Sequence, residues 1–333
     1  MLQRREFLKQ GTIVLTGTLL PVSLLAKKNK IMKQPTNFDV IIIGGSYAGL
    51  ATAMALGRAL RNVLVIDGGN PCNKQTPHSH NFLTNDGKTP KEIASLAKQQ
   101  VRNYGTVSFL DGLASAGIQT KAGFEVNTQA GEVFTGRKLI FATGIKDIMA
   151  SIPGFAESWG ISVLHCPYCH GYEVRHQKTG IIANGDAGFE ISSLISNWTK
   201  DLTLYTNGKS SLSEQQRNKL EKHKINIVEA EIDSLENKHG YIQNVVFKDG
   251  KTAQVKAIYA RLPFVQHSSI PQELGCELTQ EGYIKIDAAH RTTVKGVYAC
   301  GDNTTRMRTV ANAVSMGTTT GLMVNKELIE EDF

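Results

Sequence analysis

Two cysteines separated by two residues are the part of this chain best suited to chemistry. They lie in the stretch Cys166-Pro167-Tyr168-Cys169-His170. Such a pair can cycle between dithiol and disulfide, because a thiolate attacks a disulfide sulfur and forms a mixed-disulfide intermediate. An imidazole beside the pair can move the protons that this cycle requires, and its ordinary pKa lies near neutral pH. The predicted catalytic residues are therefore Cys166, Cys169 and His170.

A structural disulfide and a zinc site are the two competing interpretations of this pair. Zinc sites built on a cysteine pair generally need a second Cys or His pair at matching spacing. The available histidines, His78 and His80, precede a segment that fits a cofactor loop better, so we predict no metal site. We expect His165 to be a solvated loop residue. Three scattered cysteines are predicted to be small packing residues: Cys72, Cys276 and Cys300.

A glycine-rich turn near the start of the chain predicts a dinucleotide site. An apolar, β-branched segment at residues 39–43 runs into the turn G-G-S-Y-A-G at residues 44–49, and an alanine- and leucine-rich segment follows. The pyrophosphate would lie at the helix N-terminus, where free N–H groups and the helix dipole favour anions. Asp67, 18 residues beyond Gly49, would accept hydrogen bonds from the adenosine ribose. A purely structural glycine turn is the alternative.

A second strand–turn–helix–strand unit lies between the outer parts of the chain. Its strands are predicted at residues 180–183 and 202–205, and its helix at about residues 189–200. Two nested units of this type predict an α/β fold with two Rossmann-like dinucleotide-binding domains. The predicted boundaries are 37–150 and 264–333 for a discontinuous FAD-binding domain, and 151–263 for an inserted NAD(P)-type domain with the redox dithiol.

Two later segments favour FAD over NAD as the cofactor of the first domain. Ala142-Thr143-Gly144 ends a predicted strand, and residues 296–302 end in Gly301-Asp302, as in a C-terminal flavin motif. With these residues the chain resembles the thioredoxin reductase family over nearly all of residues 38–330. Within that family it is most similar to the flavin-dependent dithiol oxidases, whose motif also reads Cys-Pro-Tyr-Cys-His.

The resemblance carries specific expectations about residues and assembly. It implies that Cys169 lies nearer the flavin, that Cys166 faces the substrate, and that the protein is a homodimer. It implies FAD contacts at Gly44, Gly45, Ser46, Gly49, Asp67, Asn81, Thr143, Gly144, Asp302, Thr309 and Val310.

The second unit departs from the pattern that nicotinamide binding requires. Its turn reads A-N-G-D-A-G at residues 183–188, and T-N-G at residues 206–208 follows the next strand. A basic cluster for a 2′-phosphate is missing there, since only Lys209 follows, and no acidic residue ends the strand to hold a ribose. We therefore expect NAD(P)H binding to be weakened or lost.

The first 33 residues predict export. They begin with Arg4-Arg5 and an apolar run of about 15 residues, which is short for a membrane span and resembles a twin-arginine signal. Seven Lys or Arg against one Glu give this segment a charge of +6 out of the chain's +7. The remainder is near neutral, which argues against nucleic-acid binding. A Sec signal or an uncleaved anchor is the alternative.

These observations favour an exported FAD-dependent dithiol oxidase that passes electrons to oxygen. An NAD(P)H-dependent disulfide reductase and a non-catalytic flavin redox sensor are the alternatives. The substrate could be a small-molecule or a protein dithiol, and a quinone or another protein could replace oxygen.

Overall fold

The computed structural model describes residues 37–333, which form a seven-stranded mixed sheet and a five-stranded parallel sheet with helices packed against them, together with two small antiparallel sheets. The strands are β1 (Asn37–Ile43), β2 (Val63–Asp67), β3 (Val107–Asp111), β4 (Ala114–Thr120), β5 (Gly123–Thr128), β6 (Val133–Phe141), β7 (Ile145–Asp147), β8 (Val163–Leu164), β9 (Thr179–Ile182), β10 (Leu202–Tyr205), β11 (Asn226–Val228), β12 (Ile232–Lys238), β13 (Tyr241–Phe247), β14 (Thr252–Gln254), β15 (Ala257–Ala260), β16 (Phe264–Gln266) and β17 (Val297–Ala299). The helices are α1 (Tyr47–Arg58), α2 (Pro90–Val101), α3 (Phe155–Ser158), α4 (Pro167–His170), α5 (Gly185–Ile195), α6 (Glu214–Lys222), α7 (Ile270–Glu273) and α8 (Val310–Asp332).

The first sheet combines strands from both ends of the described chain. Its order is β3-β2-β1-β6-β5-β4, and β17 pairs with β6. Strands β3, β2, β1, β6 and β17 are parallel, whereas β4 and β5 add antiparallel hairpins. The centre of β1 is buried on both faces, which explains why this strand reads as a continuous β-branched run. Helices α1, α2 and α8 cover one face of the sheet.

The second sheet is parallel throughout, in the order β11-β10-β9-β15-β8. Helices α5 and α6 cover one face, and the antiparallel sheet β12-β13-β14 packs on the other. Strand β10 has the predicted bounds. Helix α5 begins four residues earlier than predicted, because Asn184 caps it by accepting a hydrogen bond from the Gly185 N–H at 2.8 Å.

Strand β7 lies where the chain leaves the first sheet, and β16 lies where it returns. The two strands pair with each other in antiparallel orientation. Thus β17 and α8 return to the first sheet after the second is complete. The exact domain boundaries stay a prediction. Across residues 37–333, none of the helices has the length and apolar character needed to cross a bilayer. The predicted export signal lies outside the described residues.

Candidate functional site

The first glycine turn lies between the end of β1 and the start of α1, and its packing leaves no room for a side chain at Gly44 or Gly49. A Cβ on Gly44, where φ is +107°, would lie 2.2 Å from the Ala142 carbonyl oxygen. A Cβ on Gly49 would lie 1.9 Å from the Gly44 carbonyl oxygen. These contacts let strand, turn and helix approach closely, as a pyrophosphate cradle requires.

The N-terminus of α1 has no side-chain cap. Ser46 occupies the cap position, yet its hydroxyl makes no capping hydrogen bond. The Gly45 N–H donates to Asp67 Oδ1 at 3.1 Å, which fixes that carboxylate at the end of β2 beside the turn. Free N–H groups next to a positioned carboxylate suit an anionic pyrophosphate and a ribose, respectively. The structure therefore brings four of the predicted FAD residues together with Asp67.

Two further predicted FAD segments meet at the carboxyl end of β6. Asn303 Nδ2 donates to the Phe141 carbonyl at 2.9 Å and contacts Thr143 Oγ1 at 3.4 Å, which ties the segment after β17 to the segment after β6. A Cβ on Gly144 would meet nothing within 4 Å. Asn303 is buried and its Oδ1 has no protein partner. Gly144 therefore borders open space that a ligand could fill, whereas the unpaired acceptor of Asn303 is enclosed by protein. Sequence analysis missed Asn303, although it directly follows the aspartate of the recognised motif.

Asp302 lies in this same region with few partners for its carboxylate. Its Oδ2 lies 3.9 Å from Cys72 Sγ and 3.8 Å from Arg308 Nε. Burial raises the pKa of Asp302 to about 6, and Asp147 adds to the effect while Arg308 opposes it. A carboxylate short of donors suits the hydroxyl groups of a ribityl chain.

Arg308 makes the main charge contact between the flavin motif and the β7 strand. Its Nη atoms donate to both carboxylate oxygens of Asp147 at 2.8 and 2.9 Å, in bidentate geometry. Thr309 follows and caps α8 by accepting a hydrogen bond from the Asn312 N–H, so Val310 is the first residue of that helix. The ion pair was not predicted, since nothing in the sequence connects residues 161 positions apart.

The dithiol lies at the start of the short helix α4. Cys166 and Cys169 are joined by a disulfide bond. Cys166 occupies the N-cap position, and its sulfur accepts a hydrogen bond from the Cys169 N–H at 3.1 Å. Pro167 occupies the first helical position, where a missing N–H costs nothing. Cys166 is buried, whereas Cys169 is partly exposed.

Two histidines flank the disulfide, and both differ from their predicted state. Burial lowers the pKa of His170 to about 4, with a further contribution from His80. His170 is therefore neutral at pH 7 and does not titrate near neutral pH as predicted. His165 is not a solvated loop residue, because burial and Arg308 lower its pKa to about 4 as well. Its ring packs against Trp159, with centroids 5.8 Å apart.

Asn81 lies in a loop that holds itself together. Its N–H donates to Asp86 Oδ1 at 2.7 Å, and its φ is +57°. This hydrogen bond lies inside the loop and does not join Asn81 to the other predicted FAD residues. The loop instead presents His80, whose Nε2 lies 3.6 Å from Glu173 Oε1 in the segment after α4.

Cys72 also differs from its prediction as a packing residue. The residue as a whole is exposed, but its sulfur points inward and lies 3.9 Å from Asp302 Oδ2. Burial of the sulfur and the nearby Asp302 carboxylate raise the pKa of the thiol to about 12, so it stays protonated. Cys276 and Cys300 are buried, as predicted.

In the second glycine turn, the Asn184 side chain holds the turn to the loop that follows β10. Asn184 Oδ1 accepts hydrogen bonds from the N–H groups of Gly185 and Ser211, at 2.8 and 2.9 Å. The Asn184 amide donates to the Lys209 carbonyl at 2.9 Å. Asp186 adds a negative charge to the first turn of α5, where it disfavours an anionic ligand. Of the turn's own N–H groups, Asn184 therefore occupies that of Gly185, and Asp186 places a negative charge where the first turn of α1 has none.

The cations of the second unit do not compensate for this. Arg217 pairs with Glu229 at 2.7 Å, and Arg261 pairs with Glu190 at 2.9 Å. Thr206 occupies the position after β10 and donates to the Gly208 carbonyl at 2.7 Å. Within residues 37–333, no cluster of three or more His, Cys, Asp or Glu side chains is arranged to hold a metal ion.

Comparison with known proteins gives consistent matches. Residues 38–317 match the family described as pyridine nucleotide-disulphide oxidoreductase. Thioredoxin reductase tcpT from Claviceps purpurea is 33% identical over 310 residues, which cover 88% of this chain and 95% of that protein. The structure of a putative thioredoxin reductase TrxB from Bacillus anthracis has a TM-score of 0.85 at 29% identity, covering 89% of this chain and 100% of the other.

An oxidoreductase from Agrobacterium tumefaciens has a TM-score of 0.83 at 34% identity, covering 88% of this chain and 99% of the other. Together these matches confirm the predicted α/β fold with two Rossmann-like units. They also confirm the resemblance on which the residue predictions depend.

Proposed function

Because this chain belongs to the thioredoxin reductase-like pyridine nucleotide-disulphide oxidoreductases, a family that implies FAD, we propose that it is an FAD-dependent dithiol oxidase. The structure of the second turn is the observation that supports electron flow from a dithiol rather than from NAD(P)H. Asn184 occupies the Gly185 N–H and Asp186 adds a negative charge, so a nicotinamide dinucleotide would lose one donor and meet electrostatic repulsion. A dithiol can reduce the Cys166–Cys169 disulfide without using that turn.

The residues of the first unit would hold FAD. Gly44 and Gly49 give the close packing of the cradle, the uncapped α1 N-terminus faces the pyrophosphate, and Asp67 takes the ribose. Asp302 would supply an acceptor, and Gly144 leaves open space, at the carboxyl end of β6. When bound, FAD would accept the electron pair of the dithiol and deliver it to oxygen, which becomes hydrogen peroxide.

The chain's own residues perform the thiol exchange. Burial lowers the pKa of His170 to about 4 in the oxidised protein, and the thiolate that forms on Cys169 beside it would stabilise the imidazolium, so His170 takes the proton of a substrate thiol as that charge develops. The resemblance assigns substrate attack to Cys166, although Cys169 is the more exposed of the two cysteines here. The Cys166–Cys169 bond then breaks, and Cys169 leaves as a thiolate. The second substrate sulfur then attacks the mixed disulfide, so the substrate leaves oxidised and both cysteines are reduced. Two electrons pass from substrate to the pair.

The names of the relatives support the reductase alternative better than the oxidase. Both tcpT and the Bacillus anthracis protein are described as thioredoxin reductases. In that case NAD(P)H would supply the electrons and a protein or small disulfide would receive them. We also propose that the protein is exported and forms a homodimer. Periplasmic fractionation tests export, and a measurement of molecular mass in solution tests dimerisation.

Aerobic turnover tests the oxidase proposal. With dithiothreitol as the only reductant, the FAD-loaded protein should consume oxygen and release one peroxide per dithiol oxidised. Cys166→Ser and Cys169→Ser should each abolish this turnover while keeping FAD. Oxygen consumption that continues in both variants would remove the disulfide from the reaction. Turnover that requires NADPH would establish the reductase.

A further inference from the structure

A cavity of about 600 Å³ lies beside the dithiol helix, and the thiol exchange described above leaves its role open. His170, the neighbour of Cys169, forms part of its wall, but neither cysteine lines it, so a substrate thiol would reach the disulfide past His170. Leu164, Val174 and Ile242 supply an apolar lining. Leu164 ends β8 just before the disulfide, and Val174 follows α4, so the cavity is built on the same segment that carries the cysteines. Its volume lies in the range of about 300–1,000 Å³ that is typical of small-molecule pockets.

The charges around this cavity are predominantly positive. Lys238 and Lys256 both line it and are exposed, and neither forms a salt bridge within residues 37–333. Glu173 is the one carboxylate among the lining residues, and it faces His80 at 3.6 Å. The lysines therefore offer two uncompensated charges at the edge of an apolar lining.

We propose that this cavity is the substrate site, and that it selects small dithiols that carry an anionic group such as a carboxylate. The carbon skeleton would lie on Leu164, Val174 and Ile242, the anion would lie near Lys238 and Lys256, and the thiols would lie at the His170 end. This inference rests on the proposed function and narrows its substrate class. A folded protein partner would instead require a docking face of about 800 Å² on each side.

The bound dithiol reacts by exchange alone. One S–S bond forms in the substrate as the Cys166–Cys169 bond breaks, and two electrons pass to the cysteines. The two thiol protons of the substrate end on the cysteines, with His170 as the carrier at the cavity wall. Oxidised substrate therefore leaves from the same cavity as a cyclic disulfide that still carries the anionic group.

Dihydrolipoate and dihydrolipoamide test the charge selection, since they differ only in a carboxylate and a neutral amide. Anaerobic rapid mixing with the FAD-loaded protein gives a dissociation constant for each from the saturation of flavin reduction. We expect dihydrolipoate to bind about fivefold more tightly. The variant Lys238→Glu/Lys256→Glu should weaken dihydrolipoate about tenfold and change dihydrolipoamide less than twofold. Added salt should reduce the preference.

A matched control reverses two exposed lysines that do not line the cavity, as Lys121→Glu/Lys295→Glu. This variant should leave both constants within twofold of the original. Equal changes for both dithiols, or the same loss of dihydrolipoate in the control, would overturn the proposal. A reduced thioredoxin that reduces the flavin a hundredfold more efficiently than both small dithiols would also overturn it, in favour of a protein substrate.

Calorimetric titration with oxidised lipoate separates this inference from the proposed function. Lipoate is the cyclic disulfide product and can bind without any electron transfer. If neither dithiol reduces the flavin, the oxidase proposal fails, yet lipoate binding that is lost in Lys238→Glu/Lys256→Glu would still support the cavity. If both dithiols reduce the flavin but lipoate binds the variant as well as the original protein, the cavity proposal is overturned and the oxidase stands.

Discussion

The two glycine turns of this protein occupy equivalent places in two similar units, yet they differ in what they leave free. The first turn presents an uncapped helix N-terminus next to Asp67. In the second, Asn184 occupies the Gly185 N–H, and Asp186 places a negative charge in the first turn of the helix. A shared fold therefore does not imply a shared ligand, since the site chemistry depends on a few side chains. The dithiol is the group through which we expect the second unit to act.

The largest expected effect comes from adding one methyl group to each turn. Gly44→Ala should abolish FAD binding, because its Cβ would lie 2.2 Å from the Ala142 carbonyl oxygen. Gly185→Ala, at a φ of +55° in the second turn, should retain stoichiometric FAD. Flavin absorbance per protein measures both, and circular dichroism checks that both variants fold. Equal flavin loss in the two variants would contradict the claim that only the first turn contributes to FAD binding.

Removing the imidazole next to the dithiol should have the next largest effect. His170→Ala should slow flavin reduction by dithiols about 10²-fold, at the low end of general base assistance, because a pKa of about 4 makes the imidazole a weak base at pH 7. Because burial lowers the pKa of His170 to about 4, the original protein should lose activity only as pH falls towards 4. The variant should lack that acid limb. His223→Ala, at the end of α6, is the control. An unchanged pH profile in His170→Ala would make this histidine structural.

Asp67 and Thr206 follow corresponding strands and give a smaller, matched test. Asp67→Ala should weaken FAD about ten- to a hundredfold, because it removes the ribose acceptor and leaves the Gly45 N–H without its partner. Thr206→Ala changes the corresponding position of the second unit and should leave FAD affinity unchanged. Fluorescence titration of the apoproteins with FAD measures both constants. Comparable weakening in both would show that FAD affinity depends on general stability.

The smallest effect should follow from removing the negative charge at the second turn. Asp186→Asn should improve the apparent affinity for NADPH about two- to fivefold, since a charge in the first turn of a helix contributes a few tenths to about 1 kcal/mol. Asp201→Asn, outside that helix, should change nothing. The NADPH dependence of anaerobic flavin reduction gives both values. An improvement of a hundredfold would mean that Asp186 alone had closed the site.

The sequence predicted what depends on local pattern. Strand β10 was predicted with its observed bounds because a short apolar run between turn signals is a local feature. Both ends of α5 were wrong: it begins at Gly185, after a local cap by Asn184 that the prediction did not use, and it ends at Ile195 rather than near residue 200. The Arg308–Asp147 pair and the pKa of His170 both depend on burial and long-range contacts, which no local pattern contains.

The site was predicted more fully in the first unit than around the dithiol. Glycine spacing and the terminal aspartate identify a cradle because close packing dictates those residue types. Asn303 and the loop around His80 were missed because their roles arise from contacts between distant segments. For the second turn, the sequence predicted only that a basic cluster is missing. The structure adds the hydrogen bonds that Asn184 accepts from the N–H groups of Gly185 and Ser211.

Anaerobic stopped-flow reduction of the bound flavin tests the central claim most directly. The FAD-loaded protein is mixed separately with dithiothreitol, NADPH and NADH, and the loss of oxidised flavin absorbance is followed. Our account predicts that the dithiol reduces the flavin at least about a hundredfold faster than either nicotinamide, because phosphate contacts worth several kcal/mol are missing. Fast reduction by NADPH that saturates at micromolar concentration would contradict it and establish the reductase.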